Sequence, residues 1–68
     1  MKEETKKLAE NLKRIRTEKG ISQGDIVKST GIDKAMISNI ENEKTNPTLS
    51  TIAKLAKAVG VSIDELLR

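Results

Sequence analysis

The chain of 68 residues predicts an all-α fold of five short helices. Three observations support this. Apolar residues recur at spacings of three and four. Residues that start and stop helices punctuate the chain at short intervals. No segment alternates polar and apolar with the period of two that a half-buried strand requires. The core has to be aliphatic, because the sequence contains no Phe, Trp or Tyr. It also has to be thin, since a chain this short buries only about 60% of the surface its unfolded form exposes.

The first helix, expected over about 4–19, carries Leu8, Leu12 and Ile15 on one face, with Lys6, Lys7, Glu10, Lys13 and Arg14 mostly off it. Gly20 stops it, because the left-handed residue after a helix is cheapest as Gly. The second, over about 23–30, begins at Ser22 as N-cap with Asp25 as its reciprocal partner, and Ile21 and Ile26 clasp across the cap. The third, over about 34–42, repeats the device with Asp33 as cap and Ile32 and Ile37 as the clasp. Pro47 breaks the chain and Thr48 caps the fourth helix, over about 49–59, whose apolar stripe is Leu49, Ile52, Ala53, Leu55, Ala56 and Val59. After Gly60, Ser62 and Glu65 form a full capping box for a fifth helix over about 63–67. There is no internal repeat or low-complexity run, and a single domain is expected across 1–68.

Composition removes whole classes of function. Without Cys or His there is no disulfide, no zinc finger, no thiol nucleophile and no imidazole acid–base chemistry. No cofactor, metal or small-molecule ligand is implied, and no clustered carboxylate pair points to an enzyme. Without aromatic side chains, stacking of single-stranded bases is disfavoured. No apolar run is long enough to span a membrane, and the first residues lack the apolar stretch of a signal peptide, so a cytoplasmic protein is expected. The net charge is +3, but it is unevenly spread. Residues 1–20 carry seven basic and four acidic side chains, whereas residues 21–47 carry three and four. Anion binding by the middle of the chain would therefore rest on helix ends and specific donors, not on bulk charge.

The second and third helices are joined only by Thr30-Gly31-Ile32-Asp33. Two short helices joined so tightly form a helix-turn-helix unit, here about 22–42, crossing at roughly 90–120°. Ile26 and Val27 would pack against Ile37 and Ile40 in the crotch, leaving Lys34, Ala35, Met36, Ser38 and Asn39 on the outside. An ordered set of stretches resembles the phage-repressor-like (XRE, or Cro-type) helix-turn-helix regulators. They are Leu12 to Arg16, Ile21-Ser22-Gln23, Thr30-Gly31-Ile32, Ile37 to Glu41, Lys44 to Pro47, Leu49, and Leu55 to Leu66. The resemblance covers roughly residues 8–67.

The resemblance implies a compact five-helix, lambda-repressor-like DNA-binding domain, its third helix in the major groove of double-stranded DNA. It implies base contacts from Lys34, Ala35, Met36, Ser38 and Asn39. Phosphate contacts are implied from Ser22, Gln23, Lys44, Thr45 and Asn46, with Arg14 and Lys13 extending them. Arg16 and Glu41 match a family ion pair that would fix the angle of the recognition helix. Ile63, Leu66 and Leu67 are expected at a homodimer interface on a near-palindromic operator, where the chain would act as a repressor. Two departures stand out. Glu43 occupies a position usually held by Gly after the third helix, unless Asn42 takes the left-handed conformation instead. Gly24 weakens the first turn of the second helix. The alternative is a helical protein–protein interaction module on the same scaffold, favoured by the net negative charge of residues 21–47.

Overall fold

Local capping chemistry sets the element boundaries. The structure, a computed structural model, describes the backbone of residues 2–68 and the side chains of residues 5–68; Met1, included in the expected domain, lies outside the described residues. The helices are α1 (Lys2–Glu18), α2 (Gln23–Thr30), α3 (Lys34–Glu41), α4 (Leu49–Val59) and α5 (Ile63–Leu67), with no strand among the described residues. Both capping boxes form. The Asp25 N–H donates to Ser22 Oγ at 3.0 Å while the Ser22 N–H donates to Asp25 Oδ2 at 3.0 Å. Ser62 and Glu65 exchange the same pair at 3.0 and 3.1 Å. Thr48 Oγ1 accepts from the Thr51 N–H at 3.2 Å.

Asp33 is a correction. It holds the N-cap position of α3, but its side chain makes no capping bond. Its ψ is 141°, against 162–164° at the three caps that do bond. The residue three positions on is Met36, which has no oxygen to return the bond.

The ends follow one pattern with one exception. Gly20, Gly31 and Gly60 take left-handed φ of 68°, 77° and 75° after α1, α2 and α4. After α3 the same role falls to Glu43, at φ 60°, whereas Asn42 stays at φ −99°. Glu43 N–H bonds the Ile40 carbonyl at 3.2 Å, and Lys44 N–H reaches back to Asn39 at 2.8 Å, closing the two-bond ending that Gly usually closes.

The core joins Leu8, Leu12 and Ile15 of α1 to Ile26 of α2, Ile37 and Ile40 of α3, Leu55, Ala56 and Val59 of α4, and Leu66 of α5. α1 is the spine, packing on α3, α4 and α5, while α2 packs on α3 and α4. Two cross-helix donors stitch the far side: Lys19 Nζ bonds the Val59 carbonyl at the end of α4 at 2.8 Å, and Asn11 Nδ2 bonds the Leu66 carbonyl at 2.9 Å.

Two apolar expectations change. Leu66 was expected at a subunit interface but is 0% exposed within its own chain. α5 packs on both α1 and α4, and that seat takes Leu66 whole. Ile63 and Leu67 are only partly buried against the same core. Leu49, expected in the buried stripe of α4, is 67% exposed. It lies only about 20° round from the buried Ala56 at about 100° per residue, so its place on the first turn of α4, not its face, leaves it open.

Candidate nucleic-acid interface

α3 packs on α1 and α2 and on neither α4 nor α5, so one long side of it stays open. Ile37, Ile40 and Glu41 are its buried residues. At about 100° per residue the opposite side centres on Ala35, Asn39 and Asn42, with Ser38 beside them and Lys34 and Met36 on the two flanks. Lys34, Ala35, Met36 and Asn39 are exposed and Ser38 is half-buried. Met36 stands out: it is 42% exposed where an apolar side chain would ordinarily be drawn inside. Asn42 shares the open side, and its Nδ2 lies 3.3 Å from Ser38 Oγ. Its spacing of four from Ser38 is the signal in the sequence that marks it.

The buried edge of α3 is anchored by charge. Arg16 Nε donates to Glu41 Oε2 at 2.7 Å and Arg16 Nη2 to Glu41 Oε1 at 3.1 Å. Arg16 Nη1 also donates to the Ile21 carbonyl in the α1–α2 turn at 3.1 Å. The Glu41 side chain is only 4% exposed and that of Arg16 17%. The guanidinium is held above its ordinary pKa, chiefly by the hydrogen bond to Glu41. Burying a carboxylate is costly unless its oxygens are matched by donors. Here a third donor contributes: Gln23 Nε2 bonds Glu41 Oε1 at 3.1 Å.

That bond modifies the reading of Gln23. Its side chain is half-buried and commits one amide N–H to Glu41, rather than lying free at the start of α2. Ser22 is exposed beside it. After α3, Lys44 and Asn46 are exposed and Thr45 is half-buried.

Arg14 does not join this group. Two residues along a helix turn a side chain about 160° away, so Arg14 points away from the α3 side that Arg16 faces. It bonds Glu18 and Asn11 of its own helix at 3.5 and 3.4 Å, and it lines a groove of about 470 Å³ with Val61, Glu65 and Arg68. Lys13 is exposed and lies about 60° round from Arg16.

Two short helices joined by a tight turn, the second with one side locked and the other open, define a helix-turn-helix domain. The chain belongs to the HTH_3 helix-turn-helix family, which matches residues 12–66. It is 37% identical over 62 residues to the uncharacterized HTH-type transcriptional regulator y4dJ of Sinorhizobium fredii, covering 91% of this chain and 80% of that one. Its fold matches the crystal structure of a hypothetical transcription factor from Neisseria with a TM-score of 0.89 at 35% identity, over 96% of this chain and 75% of the other. It also matches the restriction-modification controller protein C.Esp1396I, solved as a tetramer with its natural 35 base-pair operator, with a TM-score of 0.80 at 30% identity, over 94% and 95% of the two chains. The chain spans 57% of the full Neisseria hypothetical transcription factor and 47% of the HTH-type transcriptional regulator DdrOP3 of Deinococcus deserti.

Proposed function

We propose that this chain is a sequence-specific regulator of transcription that reads double-stranded DNA with the open side of α3 and acts in the cytoplasm, most simply as a repressor that occludes a promoter. The observation that carries this reading is the pairing of a locked inner edge with an open outer side on one helix. The Arg16–Glu41–Gln23 network fixes the attitude of α3, and Lys34, Ala35, Met36, Ser38 and Asn39 are left to meet base edges. Their chemistry suits the major groove. Lys34 donates to guanine O6 and N7, Asn39 pairs with adenine N6 and N7, and Ala35 and Met36 meet a thymine methyl. Ser22, the start of α2, and the loop Lys44-Thr45-Asn46 supply phosphate contacts that set the register.

α3 spans eight residues, roughly 12 Å, so one copy reads only a few base pairs. A homodimer on a near-palindromic operator supplies the rest, with half-sites about one turn of DNA apart. Ile63 and Leu67 of α5 are the partly buried apolar side chains offered to that contact. A relative solved as a tetramer with its natural operator supports an oligomer on DNA.

Selection from a random duplex library, followed by sequencing, tests it. The expected product is a two-fold symmetric site bound at least about 10³-fold tighter than random duplex. Recovery of no preferred sequence, with binding insensitive to salt, would leave the protein–protein module as the better account.

A further inference from the structure

Glu43 sits where a carboxylate stabilises nothing. It is the single non-glycine residue with positive φ among the described residues, whereas the other three such positions are Gly. A side chain there crowds the backbone. Glu43 follows the C-terminal end of α3, the negative end of the helix dipole, which a carboxylate opposes. The side chain is exposed and has no hydrogen-bond or ion-pair partner among the described residues. It also stands between Asn42, on the open side of α3, and Lys44, the first residue of the loop read above as meeting phosphates.

We infer that Glu43 is an affinity-setting residue, an electrostatic brake that holds down binding to all duplex DNA whatever its sequence. The inference rests on the proposed reading of α3 and its following loop. Like-charge repulsion between a carboxylate and nearby phosphates carries no base information, so it lowers sequence-independent binding. That binding is almost wholly electrostatic, and it competes with operator recognition. With Lys44 next to it, the segment presents one attraction and one repulsion side by side, and the sum, not Lys44 alone, meets the backbone. The left-handed turn fixes the backbone at Glu43 directly after α3, so the side chain starts from the end of that helix whatever rotamer it takes.

The test uses Glu43→Gln, which keeps the side chain's size and its backbone strain but removes the charge. Fluorescence anisotropy is measured with a labelled random-sequence duplex of about 30 base pairs over a salt series, with Lys44→Gln in parallel. The expected result is that Glu43→Gln binds about three- to tenfold tighter at low salt, with thermal stability equal to the parent's or slightly higher, as loss of the repulsion at the end of α3 requires. Its logarithmic salt slope should steepen by somewhat less than one unit. If Glu43→Gln matches the parent while Lys44→Gln binds more weakly, the brake is overturned and the DNA-reading surface stands. If parent and variants all remain folded and none binds duplex, both readings fall together.

Discussion

Arg16 and Glu41 lie 25 residues apart and meet through two parallel N–H donors at 2.7 and 3.1 Å, with the carboxylate almost wholly buried. The pair ties the spine helix to the end of α3, and Gln23 adds the start of α2 to the same carboxylate. Truncating one partner strands the other. Glu41→Ala should destabilise the domain by about 3 kcal/mol, a large share of what so small a core supplies. The double variant Arg16→Met/Glu41→Leu should be less destabilised than either single truncation. Urea unfolding midpoints check this. If the losses simply add, the two side chains are not coupled.

Base and backbone contacts separate by how a loss spreads across sequences. Asn39→Ala should cost about 1–3 kcal/mol on the selected operator and relax preference at one base position, leaving random duplex nearly unaffected. Lys44→Ala should weaken every duplex alike and reduce the salt slope by about one. Identical behaviour of the two variants on all sequences would refute the division.

Glu43 predicts a stabilising substitution. Glu43→Gly removes a side chain from a left-handed position at φ 60° and should raise stability by about 1 kcal/mol. For a domain of this size that corresponds to a melting temperature higher by about 4–8 °C. Calorimetry decides it, and a lower melting temperature would show that the carboxylate makes a stabilising contact.

The cap of α2 makes stability depend on acid. Backbone and side-chain hydrogen bonds from Ser22 hold the Asp25 carboxyl below its ordinary value of 3.8. A carboxylate whose folded-state pKa is depressed contributes stability above its unfolded-state value, and that contribution is lost as pH falls through the folded-state value. The stability difference between the parent and Asp25→Ala should therefore be constant near neutrality and shrink below about pH 4. A difference that persists unchanged at low pH would mean that the bonds with Ser22 do not depend on charge.

Core and surface leucines should respond in opposite ways. Leu66→Ala opens a cavity at a fully buried site and should cost about 2–5 kcal/mol at any protein concentration. Leu49→Ala, at a site 67% exposed, should stay within about 0.5 kcal/mol. Denaturation at two protein concentrations separates a core effect from an interface effect.

The helices were legible in the sequence because the chemistry that makes them is local. Ser22 reaches Asp25, Ser62 reaches Glu65, and Gly20, Gly31 and Gly60 turn the chain, all within a few residues. Asp33 shows how narrow that rule is: the right residue stood at the right place, but its backbone angle and the Met36 three positions on left it without a partner. Glu43 was legible as a departure, although only the backbone shows that it, and not Asn42, takes the left-handed turn.

What lay beyond local spacing had to come from the packing of one helix on another. Periodicity places Leu66 and Leu49 alike on apolar faces, but one falls where α1 and α4 both close over it and the other on an uncovered first turn. It turns Arg14 and Arg16 about 160° apart, but only the packing shows that one meets Glu41 and the other the groove beside α5. The Gln23–Glu41, Lys19–Val59 and Asn11–Leu66 bonds link residues 18, 40 and 55 apart. Capping bonds act over three or four residues and can be read in one dimension. Burial and long-range donors depend on which surfaces meet, and the aliphatic core settles that only when the five helices close on it together.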